Sequence, residues 1–483
     1  MSRHPADSHV HPTLDDPVVT ALSEGVGGPM GTRATRHPWW TPTRVLVVVA
    51  AAFFALGMVQ KSGCYQGYWA NSDRYTHMCY SDLPYLYTGR GLVELNWPYS
   101  DDAQVRARYE VMEYPVGIAY FAYGAAWVTQ KATGAGDVHA RADQPTDVVA
   151  GTPQVRKELR TFVIVNALGF AAMALLSAWL LAGVNPRRPW DAAAFAASPA
   201  LLLTGLINWD LLAVVMVAGA LFTWARGRPV ATGLLIGLGT ATKLYPLFLL
   251  GPIAIICLRE RRYRDLVDTV LAAAASWFVL NAPAYLSGRD EWKRFWAFNS
   301  ERGPDLGSAW LVLSQWTHDT ITPTTVNHWS WALFGLWCAA VAVLGFRAPS
   351  TPRLAQLGFL VVVGFLLVNK VYSPQYVLWL LPLAVLARPR WRDQLVWQSC
   401  EIVYFAAVWW YLNGDLQPTQ GQDVRWYWLA VAIRMLGQLY LVAIVVRDVL
   451  RPRHDPVRAD SLPEPPDLPH QRDRAGPVHR AAR

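Results

Sequence analysis

The chain has 483 residues and a net charge of +8; 53% of its residues are hydrophobic and 24 are tryptophan. Only 16% are Asp, Glu, Lys or Arg, where a soluble domain carries roughly a quarter. This rules out a disordered or coiled-coil protein and argues against an ordinary cytosolic enzyme. The positive charge sits in short Arg clusters beside apolar runs, with no basic stripe interleaved with stacking aromatics, so no nucleic-acid partner is expected.

Residues 1–43 are rich in Pro, Arg, Asp and His without apolar periodicity, and read as a disordered cytoplasmic tail. The first apolar run begins near Arg44 after this long polar lead, as a retained anchor rather than a cleaved signal. Apolar runs fall near 44–60, 159–183, 191–206, 210–225, 230–243, 245–258, 265–284, 329–346, 354–369, 375–387, 395–412 and 426–447. Residues 448–483 repeat the polar composition of the N-terminus and read as a second disordered cytoplasmic tail. The expected fold is therefore an all-α polytopic membrane protein over 44–447, a bundle of about 12 transmembrane helices.

Arg placement sets the orientation. With the N-terminus inside, the inner connections hold Arg187 and Arg188, Arg228, the cluster at 259–264, the segment 347–353, and Arg388, Arg390 and Arg392. The short outer connections at 208–210, 243–245, 370–373 and 413–423 carry few basic residues, which is the positive-inside pattern. The run 116–129 is apolar but short, and counting it as a span would put every Arg cluster outside. It reads instead as a juxtamembrane or re-entrant helix opened by Pro115. Two large outer regions follow, 61–158 and 285–328, and loops mounted on a rigid scaffold are where function is sought.

Several polar residues converge on this outer side. Asp82 lies early in the first region, with a helix N-cap or a solvated acid as the bland alternative. Glu113 precedes Tyr114-Pro115 at the start of the juxtamembrane helix and is its main rival. Asp101-Asp102 reads as a turn rather than a metal pair, and no metal is expected. Asp210 in Asn208-Trp209-Asp210 opens an inward helix. Lys243 precedes Leu244-Tyr245-Pro246, and Lys370 precedes Val371-Tyr372-Ser373-Pro374-Gln375-Tyr376. Each offers a cation, aromatic hydroxyls and the free N–H groups of a helix N-terminus, an arrangement suited to phosphate. His328 and Arg302 also edge this side, with loop solvation as the default. Glu401 and Arg434 come to similar depths on the last two spans and read as a structural ion pair. Cys64 and Cys79 both fall outside, where a disulfide and two free thiols remain open alternatives.

These residues resemble the GT-C superfamily of membrane glycosyltransferases, and within it glycosyltransferase family 87, with its polyprenol-phosphate-mannose-dependent alpha-mannosyltransferases. The resemblance rests on Ser81-Asp82-Leu83, Glu113-Tyr114-Pro115, Asn208-Trp209-Asp210, Ala241-Thr242-Lys243-Leu244-Tyr245-Pro246 and Ser373-Pro374-Gln375-Tyr376 with Pro382 behind, and covers roughly 44–447. It implies an inverting transfer of a sugar, with mannose expected and arabinose the competitor. The donor would be a polyprenyl phosphate and the acceptor a lipid or glycan hydroxyl at the outer face of the plasma membrane, with no cofactor. Such a reaction needs a general base, assigned to Asp82 with Glu113 as substitute. It also needs cations at the departing phosphate, assigned to Lys243 and Lys370 with Tyr245 and Tyr376. Tyr372, Ser373, Gln375, Asp210 and His328 complete the expected substrate wall, and Trp97, Tyr85 and Tyr87 are expected to stack on sugar faces. A high-GC actinobacterial source fits the Arg and Trp usage. The competing class is a secondary transporter or a lipid-linked-sugar flippase without transferase activity, which the spans and the Glu401–Arg434 pair would also suit. Charge gathered at one face rather than at the midplane argues against it.

Overall fold

The computed structural model describes residues 16–26, 37–69 and 72–459, and every regular element among them is helical. Five helices are long and apolar enough to cross a membrane: Pro42–Gln60, Pro153–Val184, Tyr263–Ser287, Pro323–Arg347 and Arg425–Leu450. The shorter apolar helices Asp210–Ala225, Pro229–Thr240, Leu354–Val368 and the Pro374–Ala387 stretch lie among them.

The expected count of about 12 spans is not confirmed, because some of the apolar runs break and others form only short helices. The run 191–206 breaks at Ser198-Pro199, because the residue before proline avoids helical backbone; it becomes three short pieces ending at Thr204. The run 245–258 divides into a 3-10 turn over Tyr245–Leu249 and the helix Leu250–Glu260. The helix Val377–Ala387 is continuous, but its 11 residues reach only about 16 Å at 1.5 Å per residue. All of its residues are buried, as are nearly all of Leu354–Val368. Their apolarity serves a protein core rather than a lipid face.

Residues 116–129 form one unbroken helix, Val116–Thr133, with Pro115 at its N-cap. The Gly117 N–H donates to Ala241 O at 2.8 Å, and a Cβ on Gly117 would lie 2.3 Å from the Thr242 methyl, so only glycine permits this approach. The first large region is pinned at both ends. A Cys64–Cys79 disulfide, Cα–Cα 5.8 Å, closes its beginning. At its far end the buried Glu158 accepts from Arg141 at 2.6 Å and from the Tyr87 hydroxyl at 2.7 Å.

Parts of the expected tails are structured. Pro17–Val26 is helical, and the Asp16 carboxylate accepts the Trp391 N–H at 2.9 Å. At the other end the fully buried Asp455 accepts from both Arg353 Nη2, 2.8 Å, and Gln356 Nε2, 3.1 Å, which docks the chain beyond 448. The rest of both tails, 1–15, 27–36 and 460–483, lies outside the described residues.

Candidate active site

One large cavity of about 660 Å³ opens at the end of the bundle that carries the 61–158 region. Asp82, Glu113, Lys243, Lys370, Ser373, Gln375 and Tyr376 line it, together with Tyr114, Asn208 and Arg302. The sequence segments around 82, 113, 208, 243 and 373 thus meet in one place.

Asp82 stands before the short helix Leu83–Gly89 but makes no side-chain cap. Its backbone N–H donates to Ile207 O at 2.8 Å, and Ser81 Oγ donates to Leu206 O at 2.9 Å, so the 81–82 turn is tied to the 206–208 turn. The carboxylate faces two donors instead: Asn208 Nδ2 at 2.7 Å and the Tyr114 hydroxyl at 3.1 Å. Burial raises the Asp82 carboxyl above the ordinary carboxylate range; hydrogen bonds from Tyr80, Tyr114 and Asn208 and the charge of Lys243 oppose that rise. The result is a carboxylate more basic than usual and oriented through one oxygen. Burial, then the charge of Asp82, holds the Tyr114 phenol well above its usual range, so it remains a donor.

The two lysines differ. Lys243 Nζ lies 3.4 Å from Asp210 Oδ1 and 5.0 Å from the Tyr114 ring centroid. Asp210 is fully buried, accepts from Trp379 Nε1 at 2.6 Å, and keeps its second oxygen unpartnered. Lys243 therefore lines the cavity as the counter-charge of two carboxylates, Asp210 and Asp82. Lys370 Nζ donates to two neutral oxygens, Asn299 O and Asn327 Oδ1, both at 2.5 Å. Desolvation, helped by the nearby Arg302 guanidinium, pulls the Lys370 ammonium down to about 8. Arg302 itself pairs with Asp305 at 2.6 Å. Two cations thus face one wall of the cavity, an arrangement that favours an anion between them. Phe295, Trp296, Phe298, Trp331 and Phe365 supply the apolar side of the same hollow.

Other expected site residues lie elsewhere. The Tyr87 ring is fully buried against Phe162 and its hydroxyl is spent on Glu158, so it reaches no sugar. Tyr85 is engaged by Arg74, and Trp97 Nε1 donates to Ser287 Oγ; neither lines the cavity. Tyr245 is buried behind Trp379, its ring stacked at 4.8 Å, and supports the wall from outside. Tyr372 points inward to Glu401, 2.8 Å, rather than to the cavity. His328 borders a separate open hollow beside Glu301 and Thr324. Glu113 reaches the cavity but is gripped through both oxygens by Arg90, at 2.8 and 3.1 Å. Glu401 and Arg434 make no direct salt bridge: Tyr372 and Gln438 both bind Glu401, and Arg434 turns to Gly307 O at 3.0 Å.

Sequence reasoning left out Tyr114, Asn208 and Tyr80 as partners of the acid, and Trp379 as the indole that bonds Asp210. Tyr114 and Asn208 sit beside acids already singled out. Nothing local marks Trp379, which lies in an apolar run.

The fold and cavity define a class: a helical membrane protein with one cavity lined by a buried carboxylate, two neighbouring cations and a set of aromatic rings. Residues 154–369 match the family model of Glycosyltransferase family 87. The matched segment carries Asn208, Lys243 and Arg302; Asp82 lies before it and Lys370 directly after it. The chain is also similar to GPI mannosyltransferase 1 of Eremothecium gossypii, 24% identical over 246 residues. That alignment covers 47% of this chain and 60% of that protein's length.

Proposed function

We propose that this protein is an inverting glycosyltransferase that moves a sugar, mannose foremost, from a polyprenyl-phosphate donor to a lipid or glycan hydroxyl at the outer face of the plasma membrane. The observation that carries this reading is one cavity lined both by an acid, Asp82 held by Tyr114 and Asn208, and by two cations, Lys370 and Arg302. The family match and the mannosyltransferase relative support the same reaction class.

The acceptor oxygen attacks the anomeric carbon as Asp82 takes its proton, which is general-base catalysis. The bond from that carbon to the phosphate oxygen breaks, its electron pair stays on the phosphate, and the anomeric configuration inverts. Lys370 and Arg302 hold the donor phosphate in the ground state as in the transition state, which sets KM, and take up the charge left on it when the bond breaks. Ser373 and Gln375, at the opening of the Pro374–Tyr376 turn, add polar partners. Lys243 keeps Asp82 ionised beside Asp210 rather than holding the phosphate. The aromatic wall at Phe295, Trp296, Trp331 and Phe365 receives the first isoprene units of the donor.

The test is transfer of labelled sugar from synthetic polyprenyl-phosphate-mannose, with the arabinose donor in parallel, by the full chain in detergent. Product formation that disappears in Asp82→Asn supports the reading. Solute flux in liposomes without any sugar transfer would overturn it in favour of a transporter.

A further inference from the structure

Glu401 and Arg434 lie inside the bundle, and neither lines the cavity. A fully buried guanidinium is costly unless its hydrogen bonds are satisfied, and an apolar side chain would fill the same space at lower cost. Its partners show what it does. Arg434 Nη2 donates to Gly307 O at 3.0 Å, and its guanidinium carbon lies 3.8 Å from the Tyr372 ring centroid. Gly307 has φ +71, and a Cβ there would lie 2.2 Å from the Tyr404 hydroxyl, so the turn at 307 has room for glycine alone. The Gly307 N–H donates to the Tyr427 hydroxyl at 2.9 Å, and the Tyr404 hydroxyl donates to Tyr372 O at 2.6 Å.

Gly307 and Tyr372 belong to the two loops that carry the cavity's cations. These loops are joined backbone to backbone, Asp305 N–H to Lys370 O at 2.8 Å and Tyr372 N–H to Leu306 O at 2.7 Å. Lys370 belongs to this pairing and Arg302 lies three residues before Asp305; both line the cavity, while Arg434, Tyr372 and Glu401 brace the pairing away from the cavity. The Arg302 charge still acts on Lys370 despite the Asp305 partner, so the spacing of the two loops sets how strongly the cations repel.

We propose that Arg434 is a positioning residue which, through Gly307 and the Tyr372–Glu401 hydrogen bond, sets the spacing of Arg302 and Lys370 and thereby the affinity of the cavity for the donor phosphate. This rests on the donor reading above, so its test includes a measurement that needs no donor. In the full chain in detergent, amine labelling of Lys370 is followed by mass spectrometry as a function of pH, beside KM and kcat for polyprenyl-phosphate-mannose. Facing Lys370 are Arg302, Asp305, Asn299 and Asn327, all retained in the variants.

Arg434→Gln is expected to raise KM about tenfold, the worth of one hydrogen bond to a charged group, with kcat within about twofold. The Lys370 labelling midpoint should move up from about 8 as the loops part and water enters, with Lys243 unchanged. Arg434→Lys should restore part of both. Tyr372→Phe, which removes one hydroxyl and keeps the ring, should shift the same two quantities by less. A folded Arg434→Gln protein with wild-type KM and labelling overturns the proposal, as does a loss confined to kcat. If Arg434→Gln does not fold, unchanged labelling in Tyr372→Phe overturns it. If the wild type turns over no donor, the function reading fails, and the labelling shift alone decides whether Arg434 sets the spacing.

Discussion

Asn208 and Asp82, 126 positions apart in the chain, meet at 2.7 Å, amide nitrogen to carboxylate oxygen. The same amide nitrogen lies 2.7 Å from the Tyr114 hydroxyl, which itself donates to Asp82. Two donors from separate segments therefore fix one oxygen of the acid, and Tyr80 adds a further hydrogen bond to the same carboxylate.

Asp82→Asn is expected to lower kcat by roughly a thousandfold, within the span that general-base groups contribute. Asn208→Ala should lower kcat by roughly tenfold with little change in donor KM, since it loosens the acid without touching the cations. Steady-state transfer from polyprenyl-phosphate-mannose measures both. An Asp82→Asn protein with full activity would remove the acid from the mechanism.

The pH dependence has two limbs. Asp82 must be ionised to accept a proton, so kcat/KM falls as pH drops through its pKa, which burial places above the ordinary 3.8. Lys370 must be protonated to hold a phosphate, so kcat/KM also falls as pH rises through about 8. A bound phosphate favours the ammonium, so the alkaline limb of kcat should lie at higher pH than that of kcat/KM. An alkaline limb that persists unchanged in Lys370→Met would assign it to another group.

Lys243→Met tests the division of labour between the lysines. Removing the counter-charge of Asp82 raises the acid's proton affinity, so the acid limb moves to higher pH and activity at mildly acidic pH drops most. Donor KM should rise less than in Lys370→Met, where roughly a tenfold increase is expected. Equal rises in KM would return Lys243 to the phosphate site.

Two substitutions separate scaffold from chemistry. Tyr87→Phe removes a hydroxyl from Glu158 while Arg141 remains, and should cost about 1 kcal/mol of stability with kcat preserved. Cys64→Ser opens a disulfide spanning 15 positions, for which chain entropy gives about 3 kcal/mol. Thermal unfolding with and without reductant reads the second; a wild-type protein insensitive to reductant would show that the bridge contributes nothing.

Much of the site was legible because proline and lysine mark helix ends. Lys243 before Tyr245-Pro246 and Lys370 before Ser373-Pro374 both reach the cavity, as their positions implied. The aromatic assignments failed where side-chain direction mattered: Tyr87, Tyr245 and Tyr372 sit within a few residues of the site yet point into the packed interior. A pattern of residue types does not encode that direction. The helix count is not confirmed for a similar reason, since Val377–Ala387 is as apolar as a membrane span but is buried along its whole length.

Composition and periodicity by themselves determined a helical membrane chain, and the order of its acids, lysines and prolines pointed to one polar end of the bundle. Helix and hydropathy signals are local, so they survive without knowledge of the fold. Only the tertiary structure decided that Lys243 faces Asp210 while Lys370 and Arg302 share a wall, and that Arg434 holds Gly307 instead of Glu401. Those outcomes depend on which segments, distant in sequence, are packed within a few ångströms, where desolvation and charge act most strongly.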